Sequence, residues 1–259
     1  MRVLWYASQL IESGGGEKFL FEISEMLKKD GHEVQIVCDV LDKENIFAGK
    51  YMTDDVICLN LTYKNNNNFL KKSYKKFLGL PILFSCVSSF KPDLIICQSE
   101  FDNIRLNLIT LFNRIPIRLF VFGQMFQFKS DISKYSYIFR KKLDIVLEKQ
   151  PDYQMRLGDK PIFSQSPITF ITNEIISILK YWSLRKSEKV FVLSNQVRWE
   201  VKTLYEKEAT VLRGAIQKKE INREKILNPK PIREKPIFLS CCRLDEKKRV
   251  DIIIKAFIE

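Results

Sequence analysis

The first 39 residues constrain the fold more than any other part of the chain. RVLWYAS at 2–8 is a short apolar run that feeds straight into the turn SGGGE at 13–17. Phe19, Leu20, Ile23, Met26 and Leu27 then recur at helical spacing up to Gly31, and EVQIVCD at 33–39 is a second apolar run. Strand, glycine turn, helix and strand in so few residues is the economy of a parallel sheet with a crossover helix, because antiparallel neighbours need only a hairpin.

The alternation continues along the chain. VICLNL at 56–61 reads as a third strand, followed by the Asn-rich turn at 65–68 and a basic, aromatic helical stretch over 69–90 that Pro81 is expected to interrupt. Further strands are expected at 94–97 (LIIC), 117–122 (IRLFVF), 189–194 (KVFVLS) and 210–214 (TVLRG), with the segment 101–113 joining two of them. Helices are expected around 135–147, 173–184 and 196–206. The fold class that follows is α/β, a Rossmann-like doubly wound parallel sheet with helices on both faces.

The pattern lapses at 215–235, where IQKKEINREKILNPKPIREK carries two prolines close together and reads as a linker. The expected organisation is one domain over 1–214, the linker 215–235, and at 236–259 a strand and a helix that open a second domain. Two elements bury too little to stand alone, so the chain is expected to stop inside that domain. The amphipathic face of the terminal helix, Ile252, Ile253, Ala256 and Phe257, is expected to be incompletely covered.

Composition then limits the function classes. With 46% apolar and 12% aromatic residues the chain has the material for folded cores. No charge-free apolar run reaches the ~18 residues of a membrane span, and no signal-peptide pattern develops, so a cytoplasmic location is expected. The six cysteines, 38, 58, 86, 97, 241 and 242, lack metal-ligand spacing and read as buried thiols, so no metal is expected. A single histidine, His32, excludes any mechanism that needs two, and its place after the Gly31 stop puts it at the sheet end opposite the glycine turn. The net charge of +12 gathers at 71–76 (KKSYKK), 140–142 (RKK) and 247–249 (KKR). No zinc-finger, RNA-binding or clamp-loop motif accompanies it, which argues against nucleic acid and leaves an anionic membrane or a diphosphate.

Two places carry chemistry. Consecutive glycines at 14–16 let backbone approach a ligand while the first turn of a helix offers unpaired amides to an anion, although neither a dinucleotide fingerprint nor a phosphate-loop motif is present. Glycine turns of this kind also occur for purely structural reasons. In the tail, Arg243 and Lys248 are five residues apart across a turn, a fork and a point charge suited to a departing diphosphate, or equally a solvated cationic loop.

The sequence GGGE, GHEV, KPDLIIC, VFVLSN, TVLRG and FLSCCRLDEKKRVDIIIKAF, in that order, resembles the retaining nucleotide-sugar glycosyltransferases of family 4, which have the two-domain GT-B fold. The last stretch carries it best: Arg243, Leu244, Asp245, Lys248, Val250, Asp251, Ile254 and Ala256 stand where the family signature has those types, while Arg249 replaces its usual glycine. The resemblance implies a chain truncated within the donor-binding domain. It implies that Gly15 and Gly16 lie near donor diphosphate and acceptor, and that Arg243 and Lys248 hold the distal phosphate as the glycosidic bond breaks, with no cofactor or metal. Where many relatives have a histidine after the strand at 117–122, this chain has Gly123 and Gln124; Gln124 can hydrogen-bond a sugar hydroxyl but cannot act as a base.

The partners implied are a nucleotide-sugar donor and a glycan or lipid-linked acceptor, with peripheral membrane contact at the inner face through KKSYKKFLGLPILF at 71–84. For that stretch, packing of Phe77, Leu78, Ile82 and Phe84 into the first domain is the plainer alternative. The competing reading of the whole is a noncatalytic module binding a glycan or a partner, or one half of a split enzyme completed by a partner chain. The chain by itself is expected to show little or no transfer.

Overall fold

A computed structural model describes residues 1–11, 14–46, 55–61, 79–123, 142 and 167–212. The chain divides into two units, Met1–Gly214 and Ala215–Glu259, and the described residues all belong to the first. The expected elements at 69–78, 135–147 and 236–259, and the linker at 215–235, lie outside them, apart from Lys142.

Seven strands form one sheet: β1 (Arg2–Leu10), β2 (Glu33–Leu41), β3 (Val56–Cys58), β4 (Leu94–Cys97), β5 (Ile117–Val121), β6 (Lys189–Val192) and β7 (Thr210–Val211). Their spatial order is β3-β2-β1-β4-β5-β6-β7 and every pairing is parallel. The helices are α1 (Gly15–Lys29), α2 (Leu80–Phe90), α3 (Glu100–Ile109), α4 (Pro167–Lys186) and α5 (Asn195–Tyr205). The chain moves outward from β1 in one direction to β3, then returns to β4 on the other side of β1. This is the doubly wound arrangement read from the sequence, with its topological switch between β1 and β4.

Alternation along the central strands sorts the core into two layers. Val3, Trp5 and Ala7 of β1 join Leu20 and Phe21 of α1 on one face. Leu4 and Tyr6 face the other side, with Leu83 and Val87 of α2, Leu106 of α3, Leu184 of α4 and Val201 of α5. On the α1 face Trp5, Phe19, Phe120, Phe122 and Phe191 form a chain of ring contacts with centroids 4.8–6.3 Å apart, which is where part of the unusual phenylalanine content goes.

Local chemistry accounts for the element ends. Gly31 (φ 82°) closes α1: its N–H donates to the Lys28 carbonyl and that of His32 to the Leu27 carbonyl, a Schellman ending. His32 therefore does lie at the amino-terminal end of the sheet, beside the start of β2. Pro81 lies in the described part of the expected stretch 69–90. It occupies the first turn of α2, where its missing N–H has no helical partner to lose. Within 101–113 the chain forms α3, capped by the Ser99 hydroxyl, which accepts from Phe101 N (3.2 Å) and Asp102 N (3.5 Å). The Ser194 hydroxyl does the same for α5, so β6 stops at Val192 rather than running to 194. β3 ends at Cys58 because Asn60 turns to φ 54°, and β7 is confined to Thr210–Val211.

A Cβ at Gly31 meets no atom within 4 Å, so only the left-handed backbone resists substitution there. Gly31→Ala is expected to lower unfolding free energy by about 1 kcal/mol in urea titration, without loss of sheet signal.

Candidate functional site

The β1–β4 ladder runs from Val3↔Leu94 to Tyr6↔Cys97 and then stops, while β1 continues beside β2 to Leu10↔Leu41. Beyond Tyr6 and Cys97 the sheet therefore opens at its carboxyl end, the place where open parallel sheets take ligands. Gly14 caps α1 with extended backbone (φ −127°, ψ 175°), and Gly15 and Gly16 form its first turn. From the far side of the opening, the Gln98 side-chain amide, just past β4, donates to the Gly16 carbonyl (3.3 Å).

None of these three glycines is demanded by the fold around them. Gly31 alone among the described glycines has positive φ. A Cβ on Gly15 would meet nothing within 4 Å, and one on Gly16 would make ordinary contacts at 3.5 Å with Gln98 Oε1 and 3.9 Å with Phe122. On Gly14 it would meet only the mobile end of Glu17, at 2.5 Å from Oε2. Gly79 is the contrast: a Cβ there would run into Leu61 and come within 3.0 Å of the Arg105 guanidinium.

That guanidinium belongs to a buried charge cluster beneath the opening. Arg105 Nη1 donates to Asp39 Oδ2 (2.6 Å) and to the Tyr6 hydroxyl, Nη2 lies 3.4 Å from Asp39 Oδ1, and Tyr6 donates to Asp39 Oδ1 (2.8 Å). All three side chains are fully buried. Burial, then the negative charge of Asp102, raises the Tyr6 phenol far above its ordinary range, so it stays a neutral donor. Asp102, from the first turn of α3, accepts from Ser8 N (3.1 Å), where β1 has lost β4 as a partner. The cluster thus joins β1, β2 and α3 at the lip of the opening.

Of the residues singled out from sequence, Gly15 and Gly16 are at the carboxyl end of β1. Gln124, Arg243 and Lys248 lie outside the described residues. Gln98, Asp102 and Arg105 were not anticipated; the signal available was Asp102 and Arg105 three apart on one helical face of a segment otherwise rich in aliphatics. Cys38 and Cys97 are buried, and burial pushes both thiols up, which suits inert packing. Among the described residues no group of His, Cys, Asp or Glu could hold a metal ion, and no helix is long and apolar enough to cross a membrane.

No protein-family model matches the chain, and no curated protein sequence does. Solved structures do. A sucrose-phosphate synthase from Thermosynechococcus elongatus superposes with a TM-score of 0.62 at 10% identity, over 99% of this chain and 59% of that one. Lower-scoring likenesses include the lipopolysaccharide outer core galactosyltransferase WaaB (TM-score 0.46, 9% identity, 83% of this chain and 46% of that one) and a ugt transferase from Siraitia grosvenorii in complex with UDP (TM-score 0.46, 12%, 82% and 50%). These neighbours are GT-B glycosyltransferases. The first alone carries weight, and it carries the fold: the sheet is that of a Rossmann-like GT-B domain. The chain spans 59% of that neighbour's length.

Asp39→Asn and Arg105→Met should each destabilise the fold by about 3–5 kcal/mol, since either leaves a buried partner charge uncompensated. In Arg105→Met combined with Asp39→Leu, part of that loss should return; urea unfolding of the three variants is the measurement.

Proposed function

We propose that this chain belongs to a retaining glycosyltransferase that moves a sugar from a nucleotide-sugar donor to a glycan or lipid-linked acceptor at the cytoplasmic side of a membrane. In this reading residues 1–214 are the acceptor-side domain, 215–235 the linker, and 236–259 the opening of the donor-binding domain. The observation that carries it is the glycine turn. Gly15 and Gly16 stand at the switch point of a GT-B-like sheet, and neither backbone angle nor crowding calls for glycine at either position. A close approach of ligand to backbone supplies the reason the fold does not.

The chemistry follows from charge. As the sugar leaves its diphosphate, negative charge grows on the leaving oxygen, and first-turn amides of α1 face it from one side. Arg243 and Lys248 are assigned to the same growing charge, Arg243 as a bidentate clamp and Lys248 as a point charge. Gln124 is assigned to a sugar hydroxyl. No side chain in this set is a nucleophile, which suits attack on the same face as departure. The sequence resemblance supports this assignment of roles, and the likeness in fold supports the sheet that presents the glycine turn.

Transfer is to be measured with a panel of nucleotide sugars, the chain being supplied with a donor-binding half. Gly15→Ala and Gly16→Ala should lower the rate while leaving stability unchanged or up to about 1 kcal/mol higher, since alanine is the better helix residue. Arg243→Ala and Lys248→Ala should each cost about 10² to 10³ in rate. Unaltered rates in all four variants would remove the assignment. Binding of a glycan with no transfer from any donor would favour the noncatalytic alternative.

A further inference from the structure

The helix α4 carries apolar side chains on two faces, one packed on the core and one turned to solvent. Its inward side sets core-forming Leu184 among small polar groups: Ser177 and Ser183 are buried, and the Asn107 side-chain amide of α3 donates to the Ser183 carbonyl (3.3 Å). Just past its end, the Ser187 hydroxyl donates to Asn103 Oδ1 (3.0 Å). Its outward side is large and apolar. Ile171, Ile175 and Ile178 are 57%, 53% and 49% exposed, and the same face continues to the half-buried Trp182, whose ring is capped by Lys186 Nζ at 5.1 Å. Spacings of four, three and four hold these four side chains in one stripe along about 16 Å of helix. The α3–α4 contact is already satisfied by polar groups, so the stripe is not surplus core.

We propose that this stripe docks on an anionic lipid bilayer, with Ile171, Ile175 and Ile178 in the acyl boundary and Trp182 and Lys186 at headgroup level. Three features favour a bilayer over a second copy of the chain. Among the described residues the stripe has four side chains, far short of the ~20–30 residues each partner gives to a stable protein interface, whereas a short apolar stripe suffices for interfacial binding when charge assists. The charge is there: the chain carries +12, and the stripe ends on the exposed Lys186, next to Arg185, which pairs with Glu206 at 3.3 Å. A tryptophan with a lysine above it suits the boundary between hydrocarbon and water. On the same sheet face, α2 also turns Ile82 and Phe84 outward, each 46% exposed, so these two do not pack the core as the plainer sequence reading has it.

The inference deepens the proposed function by naming the surface that would reach a lipid-linked acceptor, and it rests on that reading only for this purpose. Its test needs no sugar transfer. The full 259-residue chain is floated with vesicles of phosphatidylcholine alone and with phosphatidylglycerol added. Binding to the anionic vesicles with a blue shift of Trp182 emission, absent in Trp182→Phe, is expected. Partitioning should fall at least about tenfold in a variant carrying Ile171→Ser, Ile175→Ser and Ile178→Ser, positions already exposed, so that the fold is kept. No vesicle binding, or binding that the triple variant retains, overturns the proposal. So does a solution dimer, seen by light scattering, that the triple variant dissociates, since the occupant is then a second copy. Transfer to a soluble glycan is unaffected by either of these outcomes, and a failed donor panel leaves the flotation result standing.

Discussion

The fully buried pairing of Arg105 with Asp39, bridged by Tyr6, is the constraint on which the rest of the site depends. Each member comes from a different element, α3, β2 and β1, and each is at the carboxyl half of the sheet. Burying two opposite charges is costly even when they meet, and the cost is offset only by good geometry and additional hydrogen bonds. Here Tyr6 supplies a donor to the carboxylate and an acceptor to the guanidinium, and Gly79 leaves room for the guanidinium under Leu61. Any shift of α3 relative to β2 separates the pair inside the core, so the width of the opening between β1 and β4 is held by the same contacts.

Four glycines in three settings show how differently one residue type is used. Gly31 is required by a left-handed backbone at the end of α1 and Gly79 by the packing of a buried guanidinium, so both are explained inside the fold. Gly15 and Gly16 have neither explanation. Their position, where Gln98 reaches across from β4 and α1 begins, gives the backbone access to whatever enters the opening.

The helices of the second face divide the work of burial unevenly. α3 is enclosed along most of its length, with Asn103 and Asn107 forming a polar seam against Ser183 and Ser187. α4 lies over that seam and turns isoleucines away from it. A second apolar face turned to solvent is a costly pattern unless something covers it, because exposed apolar area gains nothing from folding.

The sequence by itself determined the class of the fold. Strands short enough to be buried on both faces, separated by helical spacing, admit a parallel sheet and little else; the run LIIC at 94–97 forms β4 at those bounds, and Gly31 ends α1 as its place at the head of GHEV required. It also located the glycine turn, because a Gly-rich break between strand and helix is a local pattern. Tertiary structure alone decided what is long-range. Pro81 reads from sequence as a breaker within a helical stretch, whereas it stands in the first turn of α2, where proline is tolerated because no helical acceptor awaits its N–H. Asp39, Asp102 and Arg105 look like solvent-facing charges until β2, β1 and α3 converge, because a charge is buried only where the partner that neutralises it arrives from elsewhere in the chain. Periodicity fixes how often a side chain returns to one face of α4, whereas the polar partners on α3 decide which face that is.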